Sequence, residues 1–544
     1  MKDRMIKNYR QSYLTTLQEL PMNQRPNILF IQADQLAASV LAAYGNKLVK
    51  TPNLDRIAAQ GTVFENAHTP NPICASSRFA MMSGQYSSRI GAFDNASEFP
   101  ATVPTFAHYL RSLGYATCLS GKMHFVGPDQ LHGFEERVTT DIYPSDFGWT
   151  ADWTKKVEPY APSQMSMRGV VESGLCVRSL QMDYDDDVAN QSVQWLFDHT
   201  RRGDSKPFLL VSSFTHPHNP FTISKEYWDI YTDAEIDMPT VPFIPFEERD
   251  PWSQRYFKLI RQDEHHVTDA HIRSARHAYY GMVSYLDTKV GMLLDTLEKI
   301  DAIENTVIIF TADHGDMIGE RGMWYKFNPF QNSIRVPLFI SAPGAKAGHR
   351  VNANCGLVDL LPTILDLATG GKPPELVDHC DGRSLAAWLN GADASWKDEA
   401  LIEFTSEGVY APAFILRKGQ YKYVYCEGDP GMMFDMNSDP NELRNLCKEA
   451  SFATLAAKMM LEIETRFAPA KVKSEILASQ RKRLFLHSTL LTGQQTHWDY
   501  QVKKDASKQY VRSSATTSTT ATKAKARFPF VPTVPPDTPR LSSK

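Results

Sequence analysis

The sequence contains no apolar run of the roughly 18 residues that a membrane-spanning helix needs, which argues against an integral membrane protein. It also lacks a basic excess, since the net charge is -4 and the isoelectric point is near 6.5, so no nucleic-acid partner is expected. Its seven cysteines form no close pairs, which disfavours a disulfide framework or a zinc knuckle. Residues 1–25, a predicted N-terminal extension, lack the apolar segment of a secretory signal, so we expect a cytoplasmic protein.

What the sequence does contain is a set of short apolar runs that each end in polar residues. The four runs span residues 27–33, 115–120, 208–214 and 306–312. Their length and their content of Val, Ile and Phe are typical of strands buried on both faces, and helix-like patterns lie between them. This alternation predicts an α/β fold in which a mostly parallel sheet is sandwiched by helices. Because ligands bind beyond the carboxyl ends of such strands, the Asp, Lys and His residues that follow these runs indicate one active site.

The C-terminal third of the chain has a different pattern. We predict a catalytic domain over residues 26–396 and a smaller α+β subdomain with an antiparallel sheet over 397–470. Within the subdomain, a helix is expected across residues 441–467. Residues 471–544 include stretches rich in Ser, Thr, Ala and Pro, which predict an extended C-terminal tail that contacts another subunit.

The sharpest local signal is the pentapeptide Cys74-Ala75-Ser76-Ser77-Arg78. A buried, inert thiol near a helix start is one interpretation, because most free cysteines are of this kind. A phosphatase-type thiolate is a second interpretation, but that loop needs five residues between Cys and Arg, and only three stand here. The segments that neighbour the pentapeptide support neither interpretation and indicate a family resemblance instead.

The pentapeptide resembles the pattern Cys-x-(Pro/Ser)-x-Arg of the sulfatase family, and the resemblance covers roughly residues 26–470. Further blocks that carry it are 51–58, 61–64, 114–117, 121–124 and 357–367. A closer resemblance is to choline sulfatases. The blocks that carry this one are 94–96, 120–149, 213–220, 284–287, 313–326 and 496–500.

The resemblance implies an alkaline-phosphatase-like fold and a specific chemistry at Cys74. Sulfatases carry a formylglycine made from this cysteine, which implies a formylglycine-generating enzyme as a maturation partner. One hydroxyl of its hydrate attacks sulfur, and the other then expels sulfate, so one hard displacement becomes two easier steps. The resemblance also implies one divalent metal, and carboxylate ligands lead us to expect calcium before magnesium or manganese. The implied metal ligands are Asp34, Cys74 as its hydrate, Asp313 and His314.

Fixed cations complete the implied centre, because attack at sulfur adds charge to the sulfate oxygens. Arg78 follows Cys74 by four residues, hence by one helical turn, from where it can hold the hydrate. Lys122 and Lys326 resemble the two lysines that bind sulfate in the family.

Imidazoles are the implied proton carriers. His124 resembles the base that helps to break the hemiacetal sulfate, and His216 resembles a donor to the leaving oxygen. Lys326 is the alternative donor, and the sequence does not choose between them. His218 is equally consistent with a turn-orienting role, and Gln35 stands where many sulfatases have a second aspartate.

The closer resemblance implies choline sulfate as the substrate. A quaternary ammonium cannot donate a hydrogen bond, so its site needs negative charge and aromatic faces. One contact between the cation and an aromatic face is worth about 0.5–2 kcal/mol. Glu403 and Glu407 are alternative sources of charge, and two candidates in the tail can reach a neighbouring subunit, so we expect a homodimer or homotetramer. The candidate substrate-binding residues are Asn95, Trp149, Glu403, Glu407, Trp498 and Asp499.

Two other functions fit parts of the same pattern. One is a related hydrolase acting on phosphate or phosphonate esters, or on an aryl or sugar sulfate. The other is a non-catalytic binding protein on the same fold, which is disfavoured because the nucleophile, the cations and every implied metal ligand are present.

Overall fold

A computed structural model of the chain describes residues 25–143, 146–155, 165–203, 206–391 and 393–493. The strands of this part are β1 (Asn27–Ala33), β2 (Thr62–His68), β3 (Ala116–Gly121), β4 (Glu136–Arg137), β5 (Gly174–Cys176), β6 (Phe208–Ser213), β7 (Thr222–Ser224), β8 (Thr306–Ala312), β9 (Leu338–Ser341), β10 (His349–Gly356), β11 (Glu399–Phe404), β12 (Ala413–Lys418), β13 (Tyr421–Cys426) and β14 (Met432–Asp435). The helices are α1 (Pro52–Gln60), α2 (Cys74–Ser83), α3 (Ser87–Ile90), α4 (Phe106–Ser112), α5 (Arg168–Val171), α6 (Leu180–Arg201), α7 (Lys225–Trp228), α8 (Pro251–Leu259), α9 (Asp269–Lys299), α10 (Gln331–Ile334), α11 (Leu360–Thr369), α12 (Ala453–Phe467) and α13 (Pro469–Leu490).

The main sheet has eight strands in the order β10-β2-β9-β8-β1-β6-β3-β4. Strand β9 is antiparallel to both of its neighbours, and the other pairs are parallel. The four apolar runs are the central strands β1, β3, β6 and β8, and two of them have the predicted bounds. Their side chains are buried on both faces of the sheet, so the prediction of a mostly parallel α/β sheet is confirmed.

The polar ends of these four strands meet at one edge of the sheet. Beyond the strands, the backbone N–H of Asp34 donates to the carbonyl of His216 (3.4 Å) and that of Asp313 to the carbonyl of Ala33 (3.3 Å). The N–H of Lys122 donates to the carbonyl of Ser213 (3.0 Å). Parallel pairing has therefore brought together residues far apart in sequence, at the edge where such sheets bind ligands.

Helices flank this sheet. Helix α6 packs on β3 and β6, and the long helix α9 lies against α6 and α1. Helices α4 and α11 pack together, and α4 also contacts β3. Among the described helices, none has both the length and the apolar character that crossing a membrane requires.

A four-stranded antiparallel sheet, β11-β12-β13-β14, starts two residues after the predicted boundary at Lys397. The division into domains at that boundary stays a prediction. The helix expected over 441–467 was too long, because α12 begins only at Ala453. Side chains upstream explain the late start, since Asp439 accepts from the N–H groups of residues 443 and 444, and Asn445 from that of Cys447. These local bonds compete with the helical ladder.

The first part of the segment expected to be an extended tail is a helix instead. Helix α13 buries Val472 and Ile476, but the same face also buries the polar side chains of Gln480 and Arg483. A buried face of mixed polarity produces no apolar periodicity, which is why the sequence pattern did not reveal this helix. The remaining tail, residues 494–544, and most of the predicted N-terminal extension lie outside the described residues.

Candidate active site

Cys74 is the first residue of α2, a helix whose residues are all buried. The preceding residue, Ile73, is extended and offers no capping side chain, so the first helical N–H groups need other partners. Asn95 supplies one, because its Oδ1 accepts from the N–H of Ala75 at 3.0 Å. The predicted substrate residue Asn95 therefore lies beside the nucleophile and holds the start of its helix.

Four buried donors converge on one point, as the resemblance implied. The ligand atoms of Asp34, Cys74, Asp313 and His314 lie within 4.8 Å of one another. The Nε2 of His314 is 3.3 Å from the Cys74 sulfur, 3.9 Å from Asp34 Oδ1 and 3.7 Å from Asp313 Oδ1. The other ring nitrogen, Nδ1, lies 3.0 Å from the carbonyl of Gly315. A proton on Nδ1 leaves Nε2 as a metal ligand, so the donor set fits a divalent cation.

The second oxygens of the two aspartates are held by cations. Arg78 donates from Nε to Asp313 Oδ2 (2.9 Å) and from Nη2 to Asp34 Oδ2 (3.2 Å), and Lys122 pairs with the same Asp34 oxygen. Burial and the Cys74 thiol favour a higher pKa for Asp34, but Lys122, His218 and Arg78 hold that pKa below its ordinary value. Fixed cationic partners thus hold both carboxylates in position, and they keep Asp34 ionised.

The cations also act on Cys74 itself. Lys326 Nζ lies 3.4 Å and Lys122 Nζ 3.8 Å from its sulfur. Burial alone raises the pKa of this thiol, but Lys122, Lys326 and His314 outweigh burial and hold the pKa well below its ordinary value. The arrangement stabilises negative charge at this position, as a site for an oxyanion must.

Lys326 is held in place by two side chains. It donates from Nζ to Gln35 Oε1 at 2.7 Å, and Gln35 in turn donates from Nε2 to Asp316 Oδ2 at 2.6 Å. The ring nitrogen Nε2 of His218 lies 2.9 Å from the same ammonium. Gln35 therefore orients Lys326, a role that the sequence did not reveal.

Non-glycine residues in the left-handed conformation mark this centre. Gln35 has φ 64° and His124 has φ 60°, while Tyr325 and Phe327, on either side of Lys326, have φ 64° and 68°. Each such residue costs about 1–3 kcal/mol and persists only where its surroundings hold it. The strained backbone coincides with the three segments that aim side chains at Cys74.

The two histidines after β6 have different surroundings. The Nδ1 of His216 lies 2.6 Å from Asp185 Oδ2, and its buried Nε2 has no hydrogen-bond partner among the described residues. His218, in contrast, contacts Lys326, and burial together with that ammonium lowers its pKa. Its Nδ1 lies 2.6 Å from the carbonyl of Asn219, which makes Nδ1 the donor and Nε2 the acceptor from Lys326. Sequence reasoning ranked His216 first, but the contacts favour His218 as the imidazole at the centre.

His124 and Trp149 form one wall beside the centre. Their rings lie 5.7 Å apart, and Tyr143 lies 6.3 Å from Trp149 and 4.5 Å below the Lys122 ammonium. Asp141 accepts from the N–H of His124 at 2.8 Å and so holds the strained turn. Tyr143 was missed as a site residue, although it lies in the block 120–149 that resembles choline sulfatases.

The two candidate glutamates are placed differently. Glu403, at the end of β11, accepts hydrogen bonds from both the N–H and the hydroxyl of Ser88, at the start of α3. Among the described residues, none of its hydrogen bonds or ion pairs reaches the groups around Cys74. Glu407 is buried in the next loop, whose Thr405 donates to the carbonyl of Phe93 at 2.6 Å. Trp498 and Asp499 lie outside the described residues.

Sequence comparison places these features in a known context. Residues 26–371 match the family model described as "Sulfatase". Residues 319–468 match "N-sulphoglucosamine sulphohydrolase, C-terminal", and residues 474–528 match "Choline sulfatase enzyme C terminal".

Comparison with individual proteins gives the same family. The choline-sulfatase of Rhizobium meliloti (strain 1021) is 41% identical over 495 residues, covering 90% of this chain and 96% of that protein. The arylsulfatase of Clostridium perfringens (strain 13 / Type A) is 29% identical, covering 79% of this chain and 91% of that protein. Among solved structures, the phosphonate monoester hydrolase of Agrobacterium radiobacter has a TM-score of 0.66 at 25% identity, covering 81% of this chain and 96% of that chain. With more than half of its length matched and a relative at 41% identity, this chain belongs to the sulfatase family and is a sulfuric ester hydrolase.

Proposed function

We propose that this sulfatase hydrolyses choline sulfate to choline and sulfate, using a formylglycine made from Cys74 and one divalent metal. The observation that carries the proposal is the wall formed by Trp149, Tyr143 and His124 next to Cys74. A site that recognises a quaternary ammonium needs aromatic faces, and this wall supplies them within reach of the sulfate-binding cations. The 41% identity to a choline-sulfatase supports the same substrate.

Asp34, Asp313, His314 and the matured residue 74 would hold the metal. Their two carboxylates suit a hard cation, so calcium is the proposed metal, with magnesium or manganese as alternatives. When bound, such a metal polarises a sulfate oxygen and favours the deprotonated form of a nearby hydroxyl. The donors fit this role because Arg78 and Lys122 already occupy the other carboxylate oxygens.

The cations of the chain bind and orient the sulfate group. Lys122 and Lys326 flank position 74 at 3.8 and 3.4 Å from its sulfur, where they compensate charge that develops on sulfate oxygens. Arg78 fixes both aspartates, and its predicted contact with the formylglycine hydrate stays a proposal. His124, beside Trp149, is the proposed base for breaking the hemiacetal sulfate.

Choline is a poor leaving group, so its oxygen must receive a proton. We assign the donor to Lys326 Nζ, because it lies next to position 74 and is hydrogen-bonded to the acceptor nitrogen of His218. His218 holds the Lys326 ammonium in position through its acceptor nitrogen, and the lysine regains its proton from solvent after the transfer. His216, bound to Asp185, then serves to shape the turn at the end of β6.

The remaining parts of the proposal concern the counter-charge for choline and the assembly, maturation and location of the enzyme. Glu407 is the better of the two candidate counter-charges, because the Glu403 carboxylate is bound by Ser88. Trp498 and Asp499 of a neighbouring subunit complete the proposed pocket in a homodimer or homotetramer. We also propose that a formylglycine-generating enzyme matures Cys74 and that the sulfatase is located in the cytoplasm.

A substrate panel tests the proposal. We expect kcat/KM for choline sulfate to exceed that for 4-nitrophenyl sulfate and for a phenylphosphonate monoester by at least about tenfold, the value of one cation–π contact. The phosphonate ester belongs in the panel because a phosphonate monoester hydrolase shares this fold. A preference for the aryl sulfate or the phosphonate would overturn choline sulfate as the substrate.

A further inference from the structure

Arg483, on helix α13, makes a buried ion pair far from its own part of the chain. Its guanidinium donates from Nη1 to Asp94 Oδ1 at 2.6 Å and from Nη2 to Asp94 Oδ2 at 2.9 Å. The Arg483 side chain is 6% exposed and that of Asp94 is fully buried. Such a two-pronged pair fixes direction as well as distance, because the guanidinium is planar and rigid.

The same guanidinium also reaches a second segment. Nη1 donates to the hydroxyl of Thr150 at 3.2 Å, and that hydroxyl donates to the carbonyl of Phe147 at 2.8 Å. Thr150 directly follows the short 3-10 turn Phe147–Trp149. Arg483 therefore joins the residue after Trp149 to the residue before Asn95.

Asn95 and Trp149 are the two proposed pocket residues whose positions this clamp controls. Asn95 holds the N-terminus of the nucleophile helix through Ala75, and Trp149 packs on His124. One side chain outside the main sheet thus sets the distance between the nucleophile and the aromatic face.

A second residue of α13 adds to this arrangement. Gln480 accepts from the N–H of Trp153 at 3.1 Å, and the indole of Trp153 donates to the carbonyl of Ser406 at 3.0 Å. Ser406 precedes Glu407, the proposed counter-charge. Helix α13 is in this way connected to the segments that carry Asn95, Trp149 and Glu407.

We propose that Arg483 is a positioning residue for ammonium recognition, acting through Asp94 and Thr150 on Asn95 and Trp149. This inference rests on the proposed function. It also explains why the segment containing Arg483, rather than the shared sulfatase region, matches the model of a choline sulfatase C terminus. A positioning residue acts on substrate discrimination, whereas an ordinary structural ion pair acts on stability alone.

The experiment compares Arg483→Met with two other variants. Thr150→Val keeps the ion pair and removes the hydroxyl that accepts from Arg483 and donates to the carbonyl of Phe147. Arg481→Met is the matched control, because Arg481 is exposed on the same helix. For each variant the ratio of kcat/KM for choline sulfate to kcat/KM for 4-nitrophenyl sulfate is measured, together with the Tm.

We expect Arg483→Met to lower this ratio by about three- to tenfold, no more than the loss of the Trp149 contact itself. Thr150→Val should lower it by about two- to threefold, and Arg481→Met should leave it unchanged. In a Trp149→Ala background, Arg483→Met should cause a smaller further loss than in the wild type, because one of the two residues through which it acts is gone. If Arg483→Met does not fold, the Thr150→Val result decides.

The outcomes separate the two proposals. A wild-type enzyme without a preference for choline sulfate overturns the proposed function and this inference with it. A wild-type preference that survives both Arg483→Met and Thr150→Val overturns the inference alone. A lower Tm with an unchanged ratio shows that the ion pair is structural.

Discussion

The sulfate centre and the proposed ammonium wall are built in opposite ways. The sulfate centre lies at the ends of β1, β3 and β8, and each of its carboxylates is paired with a cation at close range. The wall of His124, Tyr143 and Trp149 is instead supported by segments far apart in sequence: residues 94–95, 146–150, 405–407 and helix α13. Its positions depend on contacts such as Arg483–Asp94 rather than on strand register.

This difference has a functional consequence. Strand register in a parallel sheet fixes the positions of several side chains at once, so a sulfate-binding centre built there tolerates few substitutions. Such a centre can serve any sulfate ester. A wall held by loops and one helix can change without disturbing the sheet. Substitutions in the centre should therefore abolish turnover for every substrate, whereas substitutions in the wall should change which substrate is preferred.

The largest effect is expected at Cys74. Cys74→Ala removes the group that becomes the nucleophile and should lower kcat by at least about 10⁴-fold for every sulfate ester. The Tm should hardly change, because alanine fits the start of α2. In the active wild type, the peptide containing residue 74 should be lighter than the unmodified peptide by about 18 Da, the difference between cysteine and formylglycine. Residual activity above a few per cent in the alanine variant would contradict this chemistry.

Loss of a metal ligand should come next. Asp313→Asn should lower metal content and kcat together, by at least about 100-fold in rate, since it removes a charged ligand. Elemental analysis and assays after chelation and calcium addition measure both quantities. Asp263→Asn, which changes an exposed carboxylate, is the control. Full activity of a metal-free sample would refute the assignment.

Substitutions of the two histidines after β6 should show which of them takes part in proton transfer and which only stabilises the turn. His218→Gln should lower kcat on choline sulfate by about 100-fold but much less on 4-nitrophenyl sulfate, whose leaving group needs no proton. His216→Gln should lower the Tm through loss of the Asp185 bond, with equal effects on the two substrates. A loss that depends on the leaving group for His216 instead of His218 would favour His216 as the proton donor, one of the two donors that the sequence left open.

At the wall, the expected effect is smaller and selective. Trp149→Ala should lower kcat/KM for choline sulfate by about tenfold and leave 4-nitrophenyl sulfate nearly unaffected. Truncation before Thr496, which removes Trp498 and Asp499, should act in the same direction. Equal losses for both substrates would show that the ammonium site is wrongly placed.

The last prediction concerns Glu403 and changes stability rather than turnover. Burial raises the pKa of Glu403 from 4.5 to about 7. Its neutral form therefore contributes stability that is fully present below pH 4.5 and is lost as the pH rises through about 7. Glu403→Gln should remove up to about 3 kcal/mol of this pH dependence, measured by urea unfolding at pH 5 and pH 8. The exposed residue Glu375, changed to Gln, is the control.

The opposite result at Glu403 would sharpen the comparison. A variant with unchanged pH dependence of stability but an altered preference between choline sulfate and 4-nitrophenyl sulfate would place Glu403 in the ammonium wall. Glu407 would then lose its role as the proposed counter-charge.

Sequence reasoning predicted the sheet because its signals are local. Each central strand is an apolar run followed by polar residues, and the resemblance to sulfatases then implied the roles of Asp34, Lys122 and Asp313. Side-chain direction was harder to predict. Which of His216 and His218 reaches Lys326 depends on how a turn containing two prolines is oriented, and spacing alone does not encode that orientation.

The amino-acid sequence by itself predicted the strands of the main sheet, because an apolar run is a local feature of the chain, and its resemblance to sulfatases implied Cys74 as the nucleophile and the four metal donors. Only the tertiary structure decided that Gln35 orients Lys326, that Glu403 is bound by Ser88, and that α13 returns to hold the wall. These contacts join residues more than 290 positions apart. Helix α13 shows the reason most clearly, since a buried face containing Gln480 and Arg483 resembles a solvent-exposed one until Trp153 and Asp94 are seen to cover it.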